Sequence, residues 1–337
     1  MSGAIGWGGN DRVSDDSYSR RVDDDAWGGY TGGAPSQRAQ SRVASRPAYQ
    51  AQSQVYAPKS VAYVAPVDTA AKPLKSSKKN ALIVGIDMTG SFSSWHEEIY
   101  KYVALLHKEV SELLKGDTEI LFLSFGDAVS NDKIRVCDFG CDQTLDTYLA
   151  QIKVGMGGGG NQVESSEIVL DYIDRYVDVS ASQNVYVFIM TDEGILKTVS
   201  PRDFKTCCPN LAEGETRSTV DVIRSLRIKA DVSCIFGSSG SYGAGATVSM
   251  EQSWRDVLGE IGYLSLDRAS LCVEVMLAHI AKRVGKLDLF TQAYNARRGG
   301  TVYGTQNLAT VMKSVALANP TAVKAPTQIG PGTRSLI

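Results

Sequence analysis

Two uninterrupted apolar runs constrain the fold of this chain most strongly. Residues 81–86 read Ala-Leu-Ile-Val-Gly-Ile, and residues 185–190 read Val-Tyr-Val-Phe-Ile-Met. Such runs are typical of parallel strands that are buried on both faces. Asp87 directly follows the first run, and Asp192 comes two residues after the second. Because the carboxyl ends of parallel strands share one edge of a sheet, where open α/β sheets build their sites, we predict that these two carboxylates meet.

Strand and helix patterns alternate between residues 80 and 285. One helix is predicted from a cap at Ser93 or Ser94 to Gly116, because apolar residues recur there at helical spacing. They are Trp95, Ile99, Val103, Leu106, Val110 and Leu113. Further strands are predicted at 120–125, 134–139, 230–236 and 261–266, and further helices at 164–177, 254–258 and 271–284. The alternation predicts an α/β fold, with a doubly wound and mostly parallel sheet flanked by helices.

The turn after the first predicted strand carries three side-chain oxygens at alternate positions. Asp87, Thr89 and Ser91 are each separated by one residue, so their side chains can point the same way. A carboxylate and two hydroxyls suit a hard cation such as Mg²⁺. The alternative is a purely local role, since Asp, Thr and Ser also cap helices and Gly90 relaxes a turn. Asp192 favours the metal, because it brings a second carboxylate to the same edge.

A glycine tract precedes one of the predicted helices, with glycines at 155 and 157–160. Glycines in that position can turn backbone N–H groups towards an anion, so a phosphate cradle is one interpretation. A P-loop ends in Gly-Lys-Ser/Thr, whereas this tract continues into Asn161 and Gln162 without a lysine. We therefore predict that the tract does not bind a nucleotide.

Four motifs taken together carry a resemblance to a known family. They are Asp-x-Thr-Gly-Ser at 87–91, Phe-Gly-Asp at 125–127, the glycine tract running into Gln162-Val163-Glu164-Ser165, and Thr191-Asp192-Glu193-Gly194. With these motifs, residues 80–285 resemble the von Willebrand factor A (VWA) domains, in particular an intracellular branch of prokaryotic and phage proteins. The resemblance implies a Rossmann-like fold and a metal-ion-dependent adhesion site that binds proteins rather than catalysing a reaction.

The resemblance also implies the ligands of that site, for Mg²⁺ or Mn²⁺. They are Asp87, Thr89, Ser91 and Asp192. VWA domains usually supply a further ligand, a threonine in the second loop, but Gly160 stands at that position here. Either a water takes its place, or Asn161, Gln162 or Glu164 reaches the metal. Glu164 equally suits the first turn of a helix, where the dipole favours an acid.

Composition divides the chain into three parts. Residues 1–78 are rich in Ser, Gly, Ala, Gln and Tyr, so we predict that they are disordered, with residues 75–79 as a solvated linker rather than a nucleic-acid patch. Residues 79–288 form the predicted VWA-like domain. Residues 289–337 contain Gly299-Gly300 and three prolines, and they are predicted to be a mostly extended tail, with a helix at 305–317 as the alternative.

Composition also argues against several classes of protein. The net charge of −2 gives no attraction to nucleic acid or acidic membranes, and no apolar run approaches the roughly 20 residues of a membrane helix. Residues 1–11 lack the features of a secretory signal. The six cysteines show no paired spacing, which favours reduced thiols in a cytoplasm, and the three histidines suggest neither a triad nor a zinc site.

No enzyme motif is complete in this sequence. Thr89 stands where haloacid-dehalogenase phosphatases carry their second aspartate, and residues 237–241 lack the last glycine of a G-x-S-x-G elbow. Beside the predicted metal, Glu193 is the only evident base. We therefore predict that the chain is not an enzyme.

The predicted function is metal-dependent protein binding. An open coordination position on Mg²⁺ can accept an acidic residue of a partner, in a strong charge-assisted contact. The partner is expected to be a protein, with an ATPase or sister copies of the chain as examples. The alternative is a structural component of a phage particle or large assembly, held by its long flanks. The expected location is a bacterial cytoplasm, or the host cytoplasm or virion if the protein belongs to a phage.

Overall fold

The structure is a computed structural model that describes residues 74–152, 162–238, 243–298 and 301–316. Its strands are β1 (Leu74–Lys75), β2 (Asn80–Asp87), β3 (Thr118–Phe125), β4 (Arg135–Val136), β5 (Val177–Asp178), β6 (Asn184–Thr191), β7 (Thr198–Val199), β8 (Arg217–Ser218), β9 (Asp231–Gly237) and β10 (Tyr263–Leu266). Its α-helices are α1 (Ser93–Leu114), α2 (Thr144–Ile152), α3 (Ser166–Tyr176), α4 (Pro201–Cys207), α5 (Thr219–Leu226), α6 (Ala244–Leu258), α7 (Cys272–Arg283), α8 (Leu287–Arg298) and α9 (Val302–Ala316). The predicted disorder of the first flank falls on residues 1–73, outside the described residues.

Six strands form the central sheet, in the order β10-β9-β6-β2-β3-β4. All neighbouring pairs are parallel except β3 and β4. From β2 the chain moves outwards through β3 to β4, and from β6 it moves outwards in the opposite direction through β9 to β10. The direction of the chain therefore reverses between β2 and β6, which is the topological switch point of an open α/β sheet. The predicted mixed α/β fold with a mostly parallel sheet is confirmed.

Helices cover both faces of this sheet, because the side chains of its strands alternate between two buried faces. On β2, Leu82, Val84 and Ile86 pack with α1, α2, α7, α8 and α9. Ala81 and Ile83 point the other way and pack with α3, α4, α5 and α6. The continuous apolar runs thus follow from burial on both sides of the sheet.

The helix predicted after the first strand is α1, and all six of its predicted apolar residues are buried. It ends as predicted: Lys115 adopts a left-handed conformation with φ 53° just before Gly116. The predicted serine cap is wrong. A 3₁₀ turn, Gly90–Phe92, runs directly into the helix, and Phe92 occupies the cap position without a side-chain hydrogen bond. The turn supplies the backbone carbonyl for the first helical N–H, so no serine is needed.

Three other predicted boundaries change. The predicted strand 134–139 shortens to the two residues of the antiparallel edge strand β4, and Cys137 adds a backbone hydrogen bond to Phe122 of β3. Helix α6 begins at Ala244, ten residues before the predicted start at residue 254. The helix predicted from Glu164 begins at Ser166, which leaves Glu164 in the loop before it.

The folded unit starts earlier than predicted. Leu74 and Lys75 pair in parallel with Val177 and Asp178, and Leu74 is buried. The backbone N–H of Ser77 donates a hydrogen bond to the Glu119 carboxylate at 2.5 Å. Residues 74–78 therefore belong to the domain, and the prediction of a solvated linker at 75–79 is wrong.

The folded unit also ends later than predicted. The sequence after residue 289 was expected to be mostly extended, but α8 and α9 are helices that pack on α1 and α7. Phe290, Tyr294, Val311 and Val315 are all buried in this contact. The extended-tail prediction is therefore wrong up to residue 316, and the alternative helix at 305–317 corresponds to most of α9. Across the described parts of the chain, no helix is both long enough and apolar enough to cross a membrane.

Candidate functional site

The four predicted ligands lie together at the switch point of the sheet. Asp87 is the last residue of β2, and Asp192 follows the last residue of β6, the strand beside it. The 3₁₀ turn after Thr89 turns the chain back so that Ser91 faces the same edge. Asp87, Thr89 and Asp192 are buried, and Ser91 is half-buried. The structure thus brings all four side chains to one point.

A continuous row of hydrogen-bond contacts joins these four side chains. The Thr89 hydroxyl donates to Asp87 Oδ1 at 2.7 Å, and the Ser91 hydroxyl donates to Asp192 Oδ1 at 3.1 Å. The two hydroxyl oxygens lie 3.2 Å apart. Either hydroxyl could donate in this contact, and each hydroxyl oxygen also keeps lone pairs that can accept a hydrogen bond or bind a cation. The row therefore places two hydroxyl oxygens between two carboxylates.

Asp87 is held by more groups than the sequence indicated. Its Oδ1 also accepts the backbone N–H of Thr89 at 2.9 Å. Its Oδ2 accepts the hydroxyl of Thr191 at 2.8 Å. The ring of His96 contacts the backbone oxygen of Asp87 at 2.5 Å. Thr191 and His96 were not predicted as site residues, although Thr191 belongs to the motif that identified Asp192.

Glu164 brings a further buried carboxylate to the region. It is 1% exposed, and among the described residues neither of its side-chain oxygens has a hydrogen-bond partner. Burial raises the pKa of Glu164 to about 10, and the charges of Asp87 and Glu193 act in the same direction. Because the charges of Asp87 and Glu193 act on it, Glu164 lies near the site, and its burial shows that it is not on a solvated helix end. A buried carboxylate without a hydrogen bond either keeps a proton or needs a nearby cation.

The other predicted supporting residues differ in their contribution. Gln162 has an exposed side chain and a left-handed backbone with φ 64°, and it acts through its carbonyl, which accepts the N–H of Gly194 at 3.0 Å. Glu193 is buried, and its backbone oxygen accepts the indole N–H of Trp254 at 2.8 Å. The predictions for Gly160 and Asn161 lie outside the described residues.

Asp127, from the Phe-Gly-Asp motif, was not predicted as a site residue. It is buried, its Oδ1 accepts the N–H of Val129 at 3.0 Å, and Oδ2 has no hydrogen-bond partner within the described part of the chain. The next residue, Ala128, donates its N–H to the hydroxyl of Ser165 at 2.9 Å, which ties this loop to the one that carries Glu164. The charge of Asp127 also raises the pKa of Glu164. Asp127 therefore adds a further negative charge near Glu164.

The donor set fits a hard divalent cation. Two carboxylates and two hydroxyls are the oxygen ligands that Mg²⁺ and Mn²⁺ prefer. In the ranges that the structure describes, no three His, Cys, Asp or Glu side chains are grouped so as to hold a metal ion. The fit therefore depends on the hydroxyls of Thr89 and Ser91 as much as on Asp87 and Asp192.

A second polar cluster lies at the opposite end of the sheet. Nε2 of the buried His279 lies 3.2 Å from the Ser233 hydroxyl and 3.3 Å from Asp231 Oδ1. In a catalytic triad the two ring nitrogens serve different partners, one the nucleophile and the other the carboxylate. Here one nitrogen contacts both, and Arg283 also pairs with Asp231. The cluster has the geometry of a buried structural network.

Electrostatics predict how the metal-free protein responds to pH. Burial raises the pKa of Asp87 to about 7, against hydrogen bonds from Thr89 and Thr191 that lower it. The folded protein therefore keeps protons on Asp87 and Glu164 that the unfolded chain, with carboxyl pKa values near 4, has already lost. Their contribution to stability is fully present below about pH 4 and is lost as the pH rises through the folded pKa values.

In EDTA, we expect the free energy of unfolding to fall as the pH rises from about 5 to 9, by at most about 1.4 kcal/mol per pH unit for each titrating group. Glu164→Gln should flatten the upper part of this curve, because the amide cannot lose a proton. The exposed Glu112→Gln variant is the control and should follow the parent. Urea unfolding at several pH values measures the effect, and identical curves for parent and Glu164→Gln would contradict it.

No family model matches the chain, and a search of curated proteins finds no match. Solved structures give distant similarities. The pilus adhesin SpaC from Lactobacillus rhamnosus GG is 12% identical with a TM-score of 0.41, and the match covers 65% of this chain and 31% of that chain. The PilB minor pilin from Streptococcus sanguinis is 15% identical with a TM-score of 0.40, over 66% of this chain and 64% of that chain. A von Willebrand factor type A structure from Catenulispora acidiphila is 14% identical with a TM-score of 0.36, over 61% and 43%. This chain spans about a third of the length of the adhesin.

Proposed function

We propose that this chain is a metal-dependent protein-binding module of the VWA type. Asp87, Thr89, Ser91 and Asp192 would hold Mg²⁺ or Mn²⁺, and a partner protein would supply an acidic side chain. The partner in this proposal is an ATPase or a further copy of the chain. The sparse, unpaired cysteines motivate the further proposal that it acts in a cytoplasm, bacterial or of a phage-infected host.

One observation carries this proposal. The hydroxyl oxygens of Thr89 and Ser91 lie 3.2 Å apart while each donates to a different buried carboxylate. Two hydroxyl oxygens between two carboxylates supply four side-chain oxygens, the kind of ligand that a hard cation prefers, and this supports the proposal whatever the family of the protein. A helix cap would leave no such arrangement, and α1 uses no side-chain cap.

The residues of the proposed site would contribute to binding in different ways. Asp87 and Asp192 supply negative charge, and the backbone carbonyl of Gln162 fixes the loop that carries Asp192 through its bond to Gly194. The bound cation would supply the positive charge that attracts a carboxylate of the partner. Because Asp87 and Asp192 are buried, the cation would interact with them in surroundings of low dielectric, where such contacts are strong.

Calorimetric titration with Mg²⁺ and Mn²⁺ tests the metal site. The parent is expected to bind, and Asp87→Ala should lose the signal because its carboxylate accepts three of the hydrogen bonds that organise the site. The matched control is Asp256→Ala, which removes an exposed aspartate on α6 and should bind like the parent. Equal binding by Asp87→Ala and the parent would contradict the proposal.

The alternative function, a structural component held by its flanks, makes a different prediction. Capture through the metal should fail in EDTA and survive deletion of residues 1–73. A contact made by the flanks should survive EDTA and fail after that deletion. Performing both treatments on one capture assay separates the two functions.

A further inference from the structure

We infer that Thr191 is a positioning residue of the proposed metal site. Its hydroxyl, on β6, fixes the orientation of the Asp87 carboxylate on the neighbouring strand β2. This inference rests on the proposed function, because it concerns the same site. Thr191 is the last residue of β6 and is fully buried. Asp87 is the last residue of the neighbouring strand β2.

The direction of the Thr191 hydrogen bonds is fixed by chemistry. The backbone N–H of Glu193 donates to Thr191 Oγ1 at 3.1 Å, and an N–H can only donate. The hydroxyl proton is therefore available for Asp87 Oδ2, which lies 2.8 Å away. Thr191 thus links the backbone N–H of Glu193, after β6, to the carboxylate of Asp87, at the end of β2. It accepts the first hydrogen bond and donates the second.

These contacts determine which part of Asp87 remains for a cation. A carboxylate has about four acceptor positions. Thr89 fills two at Oδ1, with its N–H and its hydroxyl, and Thr191 fills one at Oδ2. Oδ2 therefore keeps one further acceptor position. Without the Thr191 hydroxyl, Thr89 would still hold Oδ1, but Oδ2 would lose this hydrogen bond, and the carboxylate could rotate more freely about its Cβ–Cγ bond.

The position of Thr191 makes this constraint rigid. Thr191 pairs with Phe236 of β9, and the residue before it, Met190, pairs with Ile86 of β2. Threonine is β-branched and its χ1 angle is restricted, so strand pairing also fixes the direction of the hydroxyl. Groups that orient metal ligands in this way typically change metal affinity by 10–100-fold when they are removed.

Three variants test the inference, with Mg²⁺ calorimetry and Mn²⁺ electron paramagnetic resonance on the full chain. Thr191→Val keeps the shape but removes the hydroxyl, and we expect it to weaken binding of both ions about 10–100-fold. Thr191→Ser restores the hydroxyl and should bind within about threefold of the parent. Thr118→Val is the control, because Thr118 is a buried threonine at the start of β3, at the opposite end of the sheet from Thr191.

A purely structural role for Thr191 predicts a different result. Thr191→Val would then lower the unfolding free energy in EDTA, as we expect of Thr118→Val, while binding both ions with the parent's affinity. That outcome, or failure of Thr191→Ser to restore binding in a folded protein, would overturn the inference. A parent protein that binds neither ion is a separate result, which contradicts the proposed function itself and the inference with it.

Discussion

Replacing Phe290 with alanine is expected to lower the free energy of unfolding by about 3–5 kcal/mol, the usual cost of deleting a buried aromatic side chain. Phe290 lies on α8, is 1% exposed, and packs beside the Tyr294 ring at a centroid distance of 6.0 Å. The surrounding side chains of α1 and α7 belong to the main core on that face of the sheet. Because helices in a packed core relax only partly, we expect a cavity to remain where the ring was.

The neighbouring Leu289→Ala variant is the matched control. Leu289 lies on the same helix but is 53% exposed, so its replacement should change stability by no more than about 0.5 kcal/mol. Urea unfolding in EDTA measures both variants without a contribution from metal binding. Similar and small changes in both would mean that α8 does not stabilise the domain, and that the folded unit ends before residue 287.

The C-terminal helices show where prediction from sequence fails for this chain. On α8, Phe290 and Tyr294 have helical spacing, but the residues around them are mostly polar, and a glycine pair follows. The surface that buries these rings comes from α1 and α7, and Arg297 and Arg298 pair with Glu109 and Glu274 on those helices. Tertiary contacts therefore decide the conformation of this segment, and a local pattern cannot reveal them.

The strands and the four predicted ligands were predictable for the opposite reason. A run of six apolar residues rich in β-branched or aromatic side chains favours a buried strand over a helix. In a parallel sheet the carboxyl ends of such strands lie at one edge. Asp87 and Asp192 follow two of these runs, so their meeting requires only that the strands be neighbours. Thr191 was missed because its hydrogen bond to Asp87 depends on the register of β2 and β6, which the sequence does not specify.

For Glu164 the sequence allows two roles, a metal ligand or an acid in the first turn of a helix. An acid near the start of a helix is usually explained by the helix dipole. The structure places Glu164 before the helix, buried, and under the influence of the charges of Asp87 and Glu193. Burial depends on tertiary packing, which the sequence alone does not reveal, and metal ligation by Glu164 stays a prediction.

Replacing Gly237 with alanine is expected to disturb the site from a distance. Gly237 ends β9, and a Cβ atom there would lie 2.5 Å from Cζ2 of Trp95 and 2.8 Å from Cε2 of Phe92. These two rings are stacked, with centroids 4.8 Å apart, and Phe92 directly follows Ser91. Both rings are buried, and Phe92 is part of the 3₁₀ turn that carries Ser91, so we expect a shift of the Phe92 ring to move this turn.

We expect Gly237→Ala to lower the unfolding free energy by about 1–3 kcal/mol, the usual range for an added group in a packed core. We also expect it to weaken Mg²⁺ binding at least about tenfold, because a displaced Ser91 hydroxyl no longer faces that of Thr89. Gly245→Ala is the control, because Gly245 is the second residue of α6 and a Cβ there would meet no described atom within 4 Å outside its own helix backbone and chain neighbours. Alanine should therefore leave both binding and stability close to those of the parent. Unfolding in EDTA and calorimetry with Mg²⁺ separate the two effects. A Gly237→Ala protein that loses stability but binds Mg²⁺ like the parent would show that the ring pair does not set the position of Ser91.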